Sequence, residues 1–333
     1  MAMKKFINNP DNLTPELLEG YCAAFPQKVK LVSDKIVMRA NPKDESKVAI
    51  VTLGGAGHEP ALSGFVGEGM LDASVVGDIF AAPGAPKVVE ALRLLKRDAG
   101  ILFVVLNHEG DVMSGNMAME MAKEEGINVR MILTHEDIAP GADAPIENRR
   151  GLAGCIPLYK VAGAAAEAGK SLDEVYAVAE KINDNMATLA VALKTATHPQ
   201  SGDAIFDLAD NEMEIGMGQH GEAGTGRSDM LTADETAVKM AAQVLPAANA
   251  GSGDKVMVMI NGAGATTLME QFIIFRATKN YIESQGATVA HALVGEYLTV
   301  QEMGGFQMFI AKLDDELLDL LNAPADAVSW TVR

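Results

Sequence analysis

The chain has 333 residues, of which 48% are hydrophobic and 22% charged, a balance that excludes a disordered chain and leaves room for two cores. A formal net charge of -18 excludes nucleic acid or anionic lipid held by a basic surface. Cys22 and Cys155 stand far apart with no metal-binding or disulfide spacing, and no apolar stretch reaches membrane-spanning length, so the expected location is cytoplasmic, away from the membrane.

Short β-branched runs alternate with amphipathic ones, the pattern of βαβ units. Residues 47–53 (KVAIVTL), 101–106 (ILFVVL) and 129–133 (VRMIL) predict strands buried on both faces, because each is apolar nearly throughout. Helices are predicted between them at about 86–95 and 115–125. A long helical section is expected from about 152 to 196, broken at 169–171, where Ser171 and Glu174 have capping-box spacing. The polar turn 197–203 predicts a domain boundary. Beyond it, 256–260, 288–294 and 307–313 predict strands, with a helix over about 265–284. The expected fold class is α/β, a two-domain subunit in which each domain is a mostly parallel or mixed sheet flanked by helices. The expected domains are 15–196 and 197–333.

Three glycine-bounded segments hold polar residues that a core would not use, and each stands where a strand or helix is predicted to end. The first, 53–60, contains Gly55, Ala56 and Gly57 before His58, so that backbone N–H groups can approach a small polar ligand. The second, 107–114, contains His108 and Asp111; if its strand lies parallel to the first, Asp111 can orient His58 as a general base. Asp111 also has the alternative of capping the helix near Gly115. The third, 216–224, presents His220 in a glycine turn, where a neutral imidazole can attack a carbonyl.

Gly216, Gly218 and Gly221 fit G-x-G-x-x-G, but no β-branched strand is predicted before them and no helix after, which argues against a dinucleotide site. There is no phosphate loop and no zinc-binding histidine spacing. The acidic run 210–214 reads as solvated surface rather than a magnesium site.

Taken together, Lys4-Lys5-Phe6-Ile7-Asn8, Gly57-His58-Glu59-Pro60, Gly110-Asp111, Arg149-Arg150-Gly151, the 208–214 run and His220-Gly221-Glu222 resemble the ketose-binding (K) subunits of bacterial dihydroxyacetone kinases along nearly the whole chain. The resemblance implies that a ketose is held as a hemiaminal on His220, while His58 and Asp111 serve the hydroxyl that is phosphorylated. It implies no cofactor on this chain: ATP or ADP with Mg belongs to a separate nucleotide-binding L subunit. It also implies a homodimer, with residues 1–14 joining the 197–333 domain. Ala56 stands where the family usually has serine, and Leu106-Asn107-His108 where it has Lys-Asn-Tyr; either another donor such as His108 replaces the lysine at the substrate-binding positions, or the ligand is a four-carbon ketose such as erythrulose rather than dihydroxyacetone. Relatives of this kind that sense the ketose as transcriptional co-activators supply the alternative to a kinase.

Overall fold

Continuous apolar runs become the inner strands of two sheets. The structure is a computed structural model describing residues 4–222, 224 and 226–333; residues 1–3 of the expected N-terminal segment, Ala223 of the third glycine loop and Thr225 lie outside them. In chain order the elements are α1 (Leu13–Ala24), β1 (Val29–Ser33), β2 (Ile36–Arg39), β3 (Ala49–Ala56), β4 (Gly67–Glu68), β5 (Ala73–Ile79), α2 (Ala85–Leu94), β6 (Ile101–Leu106), α3 (Glu109–Glu124), β7 (Val129–Thr134), α4 (Cys155–Glu167) and α5 (Leu172–Asn183). There follow β8 (Met186–Lys194), β9 (Glu212–Ile215), β10 (Gly226–Asp229), α6 (Ala233–Ala247), β11 (Lys255–Gly262), α7 (Leu268–Ser284), β12 (Thr288–Gly295), β13 (Gly304–Leu313), α8 (Asp315–Asn322), β14 (Ala325–Ala327) and β15 (Thr331–Val332).

These elements fall into two compact units. The first takes residues 4–134, 155–181 and 319–333; the second takes 135–154 and 182–318. The chain therefore changes unit four times and not at the expected 196/197 division, and residues 4–14 go with the first unit rather than with 197–333.

The first unit's main sheet runs β1-β2-β5-β3-β6-β7. β5, β3, β6 and β7 are parallel, and the β1–β2 hairpin adds antiparallel at one edge. Val51, Leu53, Phe103 and Val105 pack with Val88 and Leu92 of α2 and Ala118 of α3 in one buried cluster. Residues beyond Leu318 complete this unit. β14 pairs with β4, Lys28 Nζ meets Asp326 Oδ1 at 2.6 Å, and the wholly buried Lys160 donates from Nζ to the Leu320 carbonyl at 2.6 Å. Burial pulls the Lys160 ammonium down to about 8.

The second unit's sheet runs β10-β9-β8-β13-β11-β12, and among the described residues only its β11–β12 pair is parallel. β8 corrects the expectation of helix to Ala196. Its sequence, MATLAVALK, is rich in helix formers, yet it is buried through Ala192 and pairs with β13 on one side and β9 on the other. A short apolar run carries no periodicity that separates strand from helix, so tertiary pairing decides. Ser171 and Glu174 do form the expected reciprocal cap, with Ser171 N–H and Oγ donating to Glu174 Oε2 at 2.8 and 2.7 Å.

Thr267 and Glu270 form another capping box, at the start of α7: Thr267 Oγ1 donates to Glu270 Oε2 at 2.6 Å while Glu270 N–H donates back to Thr267 Oγ1 at 3.4 Å. Thr267→Ala is expected to cost about 1 kcal/mol in chemical denaturation and Thr267→Ser to restore most of it; equal stability of all three proteins would refute the cap's contribution.

One buried carboxyl stands out. Glu136 is 1% exposed; its Oε1 accepts the N–H groups of Leu152 and Gly154 at 2.7 and 2.8 Å, while Oε2 meets no hydrogen-bond partner among the described residues. Burial pushes this carboxyl up to about 7. Among the described residues, no helix is long and apolar enough to cross a membrane.

Candidate functional site

The first unit supplies two of the three expected loops. β3 and β6 are parallel neighbours, with Thr52 opposite Val104, so the segments that follow them leave the same edge of the sheet. β3 also pairs in parallel with β5 on its other side, and the chain crosses over β3 on its way from β5 to β6. The carboxyl ends of strands at such a reversal are where open α/β sheets place ligands.

His58 follows β3 and is 7% exposed. Its ring centroid lies 5.0 Å from that of Phe80, tilted by 41°. Phe80 follows β5 with φ of 55°, a left-handed conformation that costs a non-glycine residue roughly 1–3 kcal/mol and collects at functional sites. Gly57, with φ of 101°, is required between them, since a Cβ there would meet the Phe80 ring at 2.7 Å. Glu59 Oε1 accepts the Gly57 N–H at 3.0 Å, and burial raises the Glu59 carboxyl. The space beside Gly55 is filled by the backbone of Asp78, Phe80 and Ala81, so this glycine admits chain rather than ligand. Ala56 is buried.

The segment after β6 is shorter than expected. Leu106 is the buried last residue of the strand, His108 is the N-cap of α3, and the helix begins at Glu109 rather than near Gly115. Asp111 is therefore inside the first helical turn and is not the cap; the helix dipole favours its negative charge there. Tyr159, which carried no readable signal in the sequence, lies close enough for the Asp111 charge to add to the burial that raises its phenol. The Tyr159 hydroxyl meets Thr52 Oγ1 at 3.0 Å, and Thr52 Oγ1 also donates to the Val104 carbonyl at 2.9 Å, tying the middles of the two strands to α4. A cavity of about 370 Å³ in the first unit is lined by Leu17 and Tyr21 of α1, by Phe25 just after it and by 59–64, and has neither His58 nor Asp111 in its wall.

His220 belongs to the second unit. Strand β9 does precede Gly216, contrary to expectation, but the next element is β10, antiparallel to it, and no helix opens among the described residues, so the glycine pattern makes a turn rather than a dinucleotide site. The acidic run is not all solvated either: Glu214 is buried, and its Oε1 accepts the Gly224 N–H at 2.7 Å. In the turn itself, Gly221 N–H donates to the Gly218 carbonyl at 3.1 Å and Gly218 N–H to the Glu222 carbonyl at 2.8 Å. His220 Nδ1 lies 3.3 Å from Glu222 Oε1, and the His220 N–H donates to Glu222 Oε2 at 2.9 Å. Partial burial opposes charge on Glu222, yet the hydrogen bond and charge of the His220 side chain hold its carboxyl well below the usual carboxylate range. Arg150, from the Arg149-Arg150-Gly151 motif, lies 3.9 Å from Glu222 Oε2; it donates to Asp137 Oδ2 at 2.6 Å and to the Gly216 carbonyl at 2.9 Å. Glu222 was visible in the sequence only as part of a motif, and nothing there pairs it with Arg150.

Comparison with known proteins agrees with this architecture. The Dak1 domain family matches residues 19–329. The chain is 39% identical over 329 residues to a Listeria innocua protein named as the dihydroxyacetone-binding subunit DhaK of a PTS-dependent dihydroxyacetone kinase, covering 98% of this chain and 100% of that one. Among solved structures, it resembles a dihydroxyacetone kinase operon co-activator with a TM-score of 0.90 and 32% identity, covering 96% of this chain and 98% of the other. It also resembles the dihydroxyacetone kinase of C. freundii with a TM-score of 0.89 and 31% identity, covering 99% of this chain and 60% of that one. By sequence and by fold, the chain belongs to the Dak1 domain family.

Proposed function

We propose that this chain is the ketose-binding subunit of a dihydroxyacetone-type kinase, in which His220 captures the substrate carbonyl as a hemiaminal while His58, oriented by Asp111, acts as base toward the hydroxyl to be phosphorylated. The observation that carries the reading is the likeness, over 98% of this chain, to a protein named as a dihydroxyacetone-binding subunit. The chemistry is consistent with it. Capture by imidazole requires a carbonyl, so glycerol is rejected because it cannot form the adduct. General-base action by His58 contributes about 10²- to 10⁴-fold in rate.

The phosphoryl group comes from nucleotide with Mg on a separate L subunit, so the chain turns over nothing alone. It works as a cytoplasmic homodimer and engages neither nucleic acid nor membrane. Leu106 offers no hydrogen-bond donor where the family has lysine, which brings erythrulose into the substrate range beside dihydroxyacetone.

A second reading, a ketose-binding transcriptional co-activator, is favoured by the TM-score of 0.90 to a solved co-activator. Mixing the chain with an L subunit, Mg²⁺, ATP or a phosphotransferase donor, and a panel of three- and four-carbon ketoses separates the two. Turnover of at least one ketose is the expected result; ketose binding with no turnover under any donor would replace the kinase with the sensor.

A further inference from the structure

The turn around His220 sets a carboxylate against one of the two ring nitrogens. An ionised carboxylate can only accept hydrogen bonds, so the contact at 3.3 Å between Glu222 Oε1 and His220 Nδ1 puts the proton of a neutral ring on Nδ1 and the lone pair on Nε2. Glu222 is held in turn. Its Oε2 accepts the His220 N–H at 2.9 Å and lies 3.9 Å from Arg150 Nη1, its carbonyl accepts the Gly218 N–H at 2.8 Å, and Arg150 is fixed by Asp137 and the Gly216 carbonyl. Gly218 has no space for a side chain: a Cβ would run into Glu222 Oε2 and Arg150 Nη1.

We propose that Glu222 is the positioning residue of His220, fixing its Nδ1–H tautomer and accepting the Nδ1 proton as Nε2 bonds to the ketose carbon. The inference rests on the carbonyl-capture reading of His220. In the step, the Nε2 lone pair forms the N–C bond and the carbonyl π pair moves onto oxygen, which takes a proton from solvent. The Nδ1 proton passes to Glu222 and from there to solvent. A neutral N-substituted imidazole and a neutral hemiaminal remain, with one proton moved overall from nitrogen to oxygen. A carboxylate behind an imidazole stabilises the positive charge that develops on the ring along the way.

The test uses the full chain with ¹⁵N-labelled histidine and dihydroxyacetone ¹³C-labelled at the carbonyl. The imidazole ¹⁵N spectrum reports the tautomer, and loss of the ketone carbon signal to an sp³ carbon reports adduct formation. The expected result is an Nδ1–H tautomer at His220 in the wild type, lost in Glu222→Gln, with adduct formation slowed about 10- to 100-fold, the usual effect of removing an orienting partner from behind a histidine. An Nε2–H tautomer in the wild type, or a Glu222→Gln adduct rate within about twofold of wild type, overturns the proposal. Should Glu222→Gln fail to fold, the wild-type tautomer decides alone. If the wild type forms no adduct at all, the capture reading falls, while the tautomer spectrum still judges the role of Glu222.

Discussion

His220→Ala is expected to abolish the ketose adduct and, with the nucleotide-binding partner supplied, to lower kcat/KM by about 10³-fold or more, the scale on which losing a covalent nucleophile is felt. The substitution removes the only bond proposed to hold the ketone, whereas His58→Ala leaves capture intact and costs rate alone. The two variants are therefore told apart by the ¹³C adduct signal, absent in the first and present in the second. His220 keeps 29% of its side chain exposed in a turn, so the variant should still fold, its main cost being the loss of the partner that holds Glu222 ionised. A His220→Ala protein that still forms the adduct would remove His220 from its role.

Glu136 sets a pH dependence of stability. Its carboxyl lies at about 7 in the folded chain against an ordinary 4.5, so the folded state binds this proton more tightly than the unfolded state. The associated stabilisation is complete below the unfolded value and is lost as pH rises through 7. At 1.36 kcal/mol per pK unit, the loss between about pH 4.5 and pH 8 approaches about 3 kcal/mol. Glu136→Gln, which cannot ionise, is expected to lack this component. Denaturation curves across that range should show the wild type losing ground to the variant as pH rises. Parallel pH profiles for the two proteins would mean that Glu136 does not carry the linkage.

What the sequence disclosed depended on whether a residue's role is local. ILFVVL could be read as a buried strand because two-faced burial leaves an unbroken apolar run, and it is β6 with the predicted bounds. MATLAVALK is buried through Ala192, but its alanines and leucines suit a helix, and only its pairing with β13 and β9 makes it a strand. His58, Asp111 and His220 were visible as polar residues among glycines. Phe80 and Tyr159 were not, because each acts through a partner distant in the chain: Phe80 on His58, and Tyr159 on Thr52. The unit boundaries were hidden for a similar reason, since the chain leaves the first unit and returns to it twice, and no local composition change marks each crossing.

The return of residues 319–333 to the first unit bears on the order of synthesis. The carbonyl that receives the buried Lys160 ammonium, the strand that pairs with β4 and the carboxylate that meets Lys28 all emerge from the ribosome after the whole of the second unit. The part of the protein made first is thus the last to be finished. A nascent chain halted at Leu318 would carry an unpaired strand edge at β4 and a lysine awaiting its acceptor, and an unpaired edge is a template for aggregation until the last residues arrive.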